Sequence, residues 1–136
     1  MNNTTLSHLV INVNPQNFAF YRDLFGYLGW SILADDDDTF GTEDANRTSL
    51  WFGRPAKLID YDYDGPGMNH VGISVKHQAD VDEALNYLHT RGIPVLFETP
   101  RHRPEFSRPG GTYYQIMFES PDRVLFEIVY AGPKDA

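Results

Sequence analysis

The chain of 136 residues contains no cysteine. This absence excludes disulfide bonds, thiol nucleophiles, iron–sulfur clusters and cysteine-ligated zinc, and it is compatible with a reducing compartment. No hydrophobic run reaches the roughly 20 residues that a transmembrane helix needs. The first five residues, Met-Asn-Asn-Thr-Thr, show neither the basic nor the apolar segment of a signal peptide. We therefore expect a soluble, cytoplasmic protein without a membrane partner.

Basic residues are also scarce, because 11 Lys and Arg stand against 19 Asp and Glu and give a net charge of −8. Binding to a polyanion requires clustered Lys and Arg, so a nucleic-acid partner is not expected. The sequence has no Gly-x-Gly-x-x-Gly or P-loop motif, no Gly-x-Ser-x-Gly elbow and no His-Glu-x-x-His. Nucleotide binding and the common hydrolase types are therefore disfavoured, and a small molecule is the expected partner.

The feature that is present is an internal repeat headed by histidine. The segments Ser-His-Leu-Val-Ile-Asn-Val and Asn-His-Val-Gly-Ile-Ser-Val place His8 and His70 at matching positions, 62 residues apart. Histidine is the commonest metal ligand among side chains. The repeat therefore indicates a duplicated fold in which each half supplies one ligand. The alternative is a pair of structural histidines, or of remnants in a metal-free binding protein.

Residues 5–53 are predicted to form the first repeat, with a strand, a helix and three more strands. Phe18, Tyr21, Phe25 and Leu28 recur at helical spacing and predict the buried stripe of the helix. The run Asp35–Asp38 is predicted to be a solvated turn, with a calcium loop as the weaker alternative. The predicted elements are the strand Leu6–Val13, the helix Pro15–Leu28, and the strands Trp30–Leu33, Thr39–Thr42 and Thr48–Phe52.

Residues 54–67 are predicted to connect the halves, and residues 68–131 to repeat the same order. Asp80 and Glu83 have capping-box spacing at the predicted start of the second helix. The predicted elements are the strand Met68–Val75, the helix Asp80–Thr90, the strand Ile93–Phe97, the loop Pro100–Gly111, and the hairpin strands Thr112–Phe118 and Val124–Tyr130. The prediction is a single α+β domain over residues 1–136, whose two βαβββ repeats form a curved-sheet cleft.

With these elements and histidine segments, the chain resembles the vicinal oxygen chelate superfamily, which includes glyoxalase I, extradiol dioxygenases, fosfomycin-resistance enzymes and bleomycin-resistance proteins. The resemblance extends from about Leu6 to Tyr130. It rests on the two histidine segments, on Phe-Tyr-Arg-Asp-Leu-Phe-Gly-Tyr-Leu-Gly-Trp from Phe20, and on Glu-Ser-Pro-Asp-Arg-Val-Leu-Phe-Glu-Ile-Val from Glu119. Many members have glycine where Arg123 stands, and glycine enters left-handed backbone conformations at low cost.

The resemblance implies a metal site held by His8, His70 and Glu127. A fourth ligand, often glutamate in glyoxalase I, would lie in Thr48–Phe52, which contains no carboxylate. Two imidazoles and one carboxylate suit a divalent ion that keeps open coordination positions. The candidate ions are those of Fe, Mn, Ni, Zn and Mg. The alternative for Glu127 is a salt bridge with an arginine of the 101–108 loop.

Further candidates follow from strand alternation and from the basic loop. Tyr113 and Tyr114 are candidate catalytic residues, of which one should face the cleft and the other the helix. Candidate substrate-binding residues are Trp51, Asn12, Ser74 and Arg103. For each the alternative is ordinary strand packing or solvent exposure. Arg101, His102, Arg103 and Arg108 would together form either a lid that binds an anion or a solvated loop.

These residues predict a glyoxalase- or dioxygenase-like metalloenzyme that chelates two neighbouring oxygens of a small substrate. Lyase, isomerase and dioxygenase chemistry stay open. The alternative is a metal-free ligand-binding protein of the bleomycin-resistance type, since an acidic surface would suit a cationic drug. The resemblance also implies a homodimer.

Overall fold

A computed structural model of the chain describes residues 1–134, so the last two residues of the predicted domain lie outside it. The chain divides into two compact units, Met1–Asp60 and Tyr61–Ala136. Each unit contains one four-stranded mixed sheet and one α-helix of ten or more residues. In both units the order along the chain is strand, helix and three strands, which confirms the predicted α+β fold of two βαβββ repeats.

The first unit has the sheet order β1-β4-β3-β2, in which β1 runs parallel to β4. The predicted helix from Pro15 is shorter than expected, because Pro15–Asn17 form a 3₁₀ turn. The side chain of Asn14 accepts a hydrogen bond from the Gln16 amide and so begins that turn. The elements are β1 His8–Asn12, α1 Phe18–Tyr27, β2 Ser31–Asp35, β3 Thr39–Glu43 and β4 Ser49–Gly53.

Aromatic side chains hold α1 on this sheet. Phe18, Tyr21 and Phe25 of the predicted stripe are buried, whereas Leu28 follows the last helical residue. The Tyr21 ring stacks on Phe52 of β4 with centroids 4.2 Å apart. Fully burying an aromatic or large aliphatic side chain contributes about 1.5–3 kcal/mol. The spacing of these residues therefore decides which face of α1 packs on the sheet.

Trp51 lies on the face of β4 that points away from α1, where its ring lies over a glycine of the neighbouring strand. The strand register places Trp51 beside Gly41 of β3. A Cβ atom added to Gly41 would come within 2.5 Å of the Trp51 ring. The indole Nε1 donates a hydrogen bond of 2.9 Å to the Ser49 hydroxyl. The absence of a side chain at position 41 therefore allows the indole to lie flat on the sheet.

The second unit has the sheet order β5-β8-β7-β6, and β5 runs parallel to β8. Val71 and Ile73 of β5 point to the buried face, and α2 packs on that face against β7 and β8. No helix of the described part of the chain is long and apolar enough to cross a membrane. The elements are β5 Val71–Ser74, α2 Gln78–Thr90, β6 Arg101–His102, β7 Gly111–Glu119 and β8 Leu125–Pro133.

The predicted strand Ile93–Phe97 is wrong. Only Leu96 of this segment donates its amide to the β7 backbone, at Met117 O. Phe97 and Glu98 then have φ angles of 57° and 58°, which are incompatible with an extended strand. The second strand of this unit is instead the two-residue β6, inside the segment predicted to be a loop.

Helix α2 begins at Gln78, two residues before the predicted start. Asp80 takes part in its cap, but as the acceptor for the His77 amide rather than as the capping residue of an Asp80–Glu83 box. Farther along, the Tyr114 hydroxyl of β7 donates a 2.7 Å hydrogen bond to Asp82 of α2. Burial and this carboxylate raise the pKa of Tyr114 to about 12. A hydrogen bond therefore joins the helix to the sheet.

We predict that Gly41→Ala destabilises the chain by about 1–3 kcal/mol, because the new methyl group displaces the Trp51 ring. The free energy of unfolding in urea, followed by circular dichroism, measures the change. Gly26→Ala is the matched control, since nothing lies within 4 Å of its added Cβ and alanine favours the helix. An equal effect of the two substitutions would contradict this account of Trp51.

We predict that the free energy of unfolding falls as the pH rises from about 10 to about 12, and less steeply in Tyr114→Phe. Over this interval the tyrosine loses its proton in the unfolded state, whereas Tyr114 in the folded state keeps it. Ionisation therefore stabilises the unfolded state relative to the folded state as the pH rises. At neutral pH the substitution costs about 1 kcal/mol through the lost hydrogen bond. Urea unfolding at several pH values tests both effects, and parallel curves for the two proteins would contradict the first.

Candidate functional site

The second unit contains a cavity of about 660 Å³ on the face of its sheet away from α2. Its floor consists of alternate residues on adjacent strands, as the side-chain period of two requires. Polar and ionisable groups converge there with aromatic rings. The lining residues are Tyr113, Gln115 and Met117 of β7, Leu125 and Glu127 of β8, Arg101 of β6, and Tyr63, Asp64, Asn69, His70, Phe97, Glu98, Arg103 and Phe106 from the connecting segments.

Glu127 is the most deeply placed ionisable group of the cavity, with only 4% of its surface exposed. It lies between Phe126 and Ile128 in a strand whose side chains are almost all buried. A carboxylate in such surroundings needs hydrogen-bond donors or a cation. The Tyr113 hydroxyl donates to Oε1 at 2.7 Å, and the Gln115 amide donates to Oε2. The partners of Glu127 are thus β7 side chains rather than an arginine of the 101–108 loop.

Two features keep the Glu127 carboxylate and the Tyr113 hydroxyl in these roles. A Cβ atom at Gly72, the neighbour of Glu127 on β5, would lie 3.2 Å from Oε1, so glycine leaves room for the carboxylate. Burial, and then the Glu127 carboxylate, raise the pKa of Tyr113 far above its usual range. Tyr113 therefore retains its proton and acts as a hydrogen-bond donor.

His70 lies directly before β5 and points one ring nitrogen at this carboxylate. Its Nε2 is 3.8 Å from Glu127 Oε1. Its Nδ1 is 2.7 Å from Asn69 Oδ1, while the other end of the same amide donates to the Tyr63 carbonyl. An amide oxygen only accepts, so Nδ1 is the donor in this bond, and in the neutral imidazole Nε2 is then the nitrogen with the lone pair. This is the arrangement by which a second residue orients a metal-binding imidazole.

His70 Nε2 and Glu127 Oε1 are 3.8 Å apart, slightly more than the roughly 3.3–3.6 Å between two ligand atoms that lie about 2.0–2.2 Å from one tetrahedral ion. A small movement of either side chain would bring both atoms within binding distance of one ion. Between residues 1 and 134, however, no group of three or more His, Asp or Glu side chains could hold a metal ion. The structure therefore brings together two of the three predicted ligands.

His8, the third predicted ligand, belongs to the first unit and opens β1. Its side chain is exposed, and its Nδ1 is 2.9 Å from the Ser7 hydroxyl. Both repeat histidines thus have Nδ1 bonded to the residue that precedes them.

Trp51 occupies the place in the first unit that Glu127 has in the second. Trp51 pairs with Val10 and Gly41, and Glu127 pairs with Gly72 and Met117. Val10 and Gly72 are 62 residues apart, like the histidines. The carboxylate that a four-ligand site would need is therefore replaced by a half-buried indole.

The remaining candidates divide between the cavity and other surfaces. Arg103 lines the cavity, where its side chain pairs with Glu105 and lies over the Phe106 ring. Tyr114 points to the opposite face and bonds to α2, so it does not line the cavity.

Asn12 is exposed on β1 of the first unit, and Ser74 is exposed on β5 and does not line the cavity. Within the second unit the structure therefore unites His70, Glu127, Tyr113 and Arg103 in one cavity.

Gln115, Asn69 and Phe97 are among the lining residues that were not predicted as site residues from the sequence. Gln115 is two positions from Tyr113, so strand alternation alone could have placed it on the same face. Asn69 precedes a candidate ligand, where an orienting amide is common. Phe97 gave no such signal, because its position depends on a left-handed backbone that its residue type disfavours.

Comparisons with known proteins agree with the architecture. A family model described as the Glyoxalase/Bleomycin resistance protein/Dioxygenase superfamily matches residues 5–128. A solved structure from Bacillus halodurans, provisionally named a glyoxalase, is 26% identical, with a TM-score of 0.77 over 94% of this chain and 96% of that chain. A search of curated proteins found no match.

More distant structures share the fold. The lactoylglutathione lyase of Agrobacterium tumefaciens is 18% identical, with a TM-score of 0.66 over 96% of each chain. A glyoxalase/dioxygenase from Nostoc punctiforme is also 18% identical, with a TM-score of 0.69 over 96% of this chain and 93% of that chain. Because the family model covers nearly the whole sequence, the chain belongs to the glyoxalase/bleomycin resistance protein/dioxygenase superfamily.

Proposed function

We propose that this protein is a divalent-metal-dependent enzyme that acts on a small molecule with two neighbouring oxygen atoms. The observation that carries the proposal is the pair formed by His70 Nε2 and Glu127 Oε1, 3.8 Å apart at the floor of the cavity. The orientation of His70 by Asn69 supports it, because the hydrogen bond at Nδ1 holds the ring with Nε2 directed at the carboxylate. A bound divalent ion would polarise the substrate oxygens as a Lewis acid or, if iron, would support dioxygen chemistry.

In this proposal His8 is the third ligand, and its support is the histidine repeat together with the Ser7 contact to Nδ1. Tyr113 holds a proton beside Glu127 Oε1, where it can orient the carboxylate or donate a hydrogen bond to a substrate oxygen. Trp51, in the position equivalent to Glu127, removes a fourth protein ligand. The proposed reaction at this site is that of a lyase, an isomerase or a dioxygenase.

A metal-free binding protein is the second candidate function. One observation favours it, since Glu127 already accepts hydrogen bonds from Tyr113 and Gln115 and so is satisfied by protein groups alone. In this alternative the cavity would bind its ligand without chemistry.

We predict that the purified protein, reconstituted with Fe(II), Mn(II), Ni(II) or Zn(II), binds close to one ion per chain. His70→Ala and Glu127→Gln should reduce the bound metal to well below one ion, because each removes a ligand. His8→Ala should have the same effect. Metal content after gel filtration, measured by elemental mass spectrometry, tests these variants.

His89→Ala is the matched control, since this exposed histidine lies near the end of α2 and outside the cavity. Asn69→Ala keeps all three proposed ligands but removes the orienting amide, so its metal affinity should fall about 10- to 100-fold. If His70→Ala retains the metal content of the unmodified protein, the proposed site is wrong. If no ion binds to the unmodified chain, the metal-free alternative replaces it.

We further propose that the chain forms a homodimer. Both edge strands of the first sheet carry exposed apolar side chains, namely Leu9 and Val10 on β1 and Ile32 and Leu33 on β2. Apolar residues clustered on exposed edge strands favour association with another chain. Light scattering coupled to gel filtration should give twice the chain mass of 15.5 kDa. Val10→Lys should shift the protein toward the monomer, and a monomeric parent protein would contradict the proposal.

A further inference from the structure

Two arginines enter the cavity of the second unit from one short segment. Arg101 and His102 form β6, and Arg103 follows directly. His102 turns to the other face, where its ring contacts Tyr114 with centroids 4.5 Å apart. Arg101 and Arg103 line the cavity instead. Strand alternation therefore places two guanidinium groups beside the proposed metal-binding residues.

Arg101 has an unused donor. Its Nε is buried and has no hydrogen-bond partner within the described residues 1–134. Its nearest carboxylate is that of Glu98, 3.6 Å from Nη1, and the Glu98 side chain is 90% exposed. An exposed ion pair of this kind is weak. A buried donor without a partner is unfavourable, so protein groups satisfy the Arg101 guanidinium only in part. The Arg101 side chain is 39% exposed, so a ligand acceptor can reach its terminal nitrogens.

Two phenylalanines of the cavity are unusually exposed. Phe97 and Phe106 have 55% and 59% of their surface accessible. Phe106 meets the Tyr113 ring edge to face at 5.6 Å, and the Arg103 guanidinium lies 4.6 Å from its ring centroid. Exposed aromatic rings that line the same cavity as cationic groups are typical of binding surfaces.

The backbone holds Phe97 in this position against its own conformational preference. Leu96 N donates to Met117 O at 2.8 Å, and Met117 N donates to the Thr99 hydroxyl at 3.0 Å. The chain is therefore fixed to β7 on both sides of Phe97 and Glu98, which both have positive φ angles. Unfavourable conformations of this kind persist where the surrounding structure enforces them, and they concentrate at ligand sites.

The net charge of the lining limits what can bind. Arg101 and Arg103 share the cavity with three carboxylates, those of Asp64, Glu98 and Glu127, and Arg103 also pairs with Glu105. Because the carboxylates outnumber the guanidinium groups, each further negative charge on a ligand makes binding less favourable. A single carboxylate held by the two guanidinium groups is therefore the anion that this lining disfavours least.

We propose that the cavity binds a small amphipathic acid, with its single carboxylate on Arg101 and Arg103 and its aromatic or apolar body against Phe97 and Phe106. The inference rests on the proposed function in one respect, namely that this cavity is the substrate site, and it specifies the substrate class. The carboxylate subsite is separate from His70 and Glu127, so the acid also binds when no metal is present.

The test uses 3-phenylpropionate as the probe and isothermal titration calorimetry as the measurement, first in EDTA and then with the metal-loaded protein. Saturable binding is expected in both. The neutral 3-phenylpropan-1-ol and the small anion propionate should each bind roughly tenfold more weakly or worse, because each lacks one half of the recognition. Phenyl phosphate, which carries more charge, should also bind more weakly than the carboxylate.

Arg101→Gln should weaken 3-phenylpropionate binding by about tenfold or more, because it removes a charged hydrogen-bond donor. Arg108→Gln is the matched control, since Arg108 is exposed in the same segment and lies outside this cavity. Glu98→Gln should strengthen binding by about two- to fivefold, because Glu98 competes for Arg101. Glu98→Gln and Arg101→Lys decide the result if Arg101→Gln does not fold.

The proposal is overturned if 3-phenylpropionate shows no saturable binding, or if Arg101→Gln and Arg108→Gln affect it equally. Equal binding of the alcohol, or tighter binding of phenyl phosphate, also overturns the assignment of a single carboxylate. These results are separable from the metal proposal. A protein that binds the acid but no metal contradicts only the proposed metal chemistry, whereas a protein that binds metal but not the acid contradicts only this inference.

Discussion

The burial of the Glu127 carboxylate in an otherwise apolar strand is the constraint on which the rest of the second unit depends. Phe126 and Ile128 point to the face that packs against α2, whereas Glu127 points into the cavity with 4% of its surface exposed, so its carboxylate needs hydrogen-bond donors or a cation. Tyr113 and Gln115 supply its hydrogen bonds from β7, and Gly72 supplies the space on β5. The register of three strands is therefore linked to the position of one charged side chain.

The two repeats use the same position differently. In the second unit a glycine on the parallel neighbour makes room for a carboxylate, and in the first unit a glycine on the antiparallel neighbour makes room for an indole. The backbone pattern is common to both, but the first unit has an apolar surface where the second has a polar one. Duplication thus preserved the strand register, whereas the chemistry of the two sheet faces became different.

The sequence predicted what depends on periodicity. The repeat of His8 and His70, the aromatic stripe of α1 and the alternation that separates Tyr113 from Tyr114 are all local patterns, and the fold follows from them. It did not predict features that depend on individual backbone contacts. The strand expected at Ile93–Phe97 is absent because Phe97 and Glu98 adopt left-handed conformations, which no propensity of Phe or Glu would indicate. Likewise, strand periodicity does not predict whether a third metal ligand lies close to the other two.

The segment between Leu96 and Thr99 has a consequence for how this protein can change over time. Its flanks are held by Met117, so Phe97 and Glu98 contribute no regular ladder of hydrogen bonds to the sheet. Substitution at these two positions can alter the cavity wall while the strand register around Glu127 stays the same. Selectivity for the ligand and integrity of the sheet are thereby assigned to different residues, so one can evolve without loss of the other.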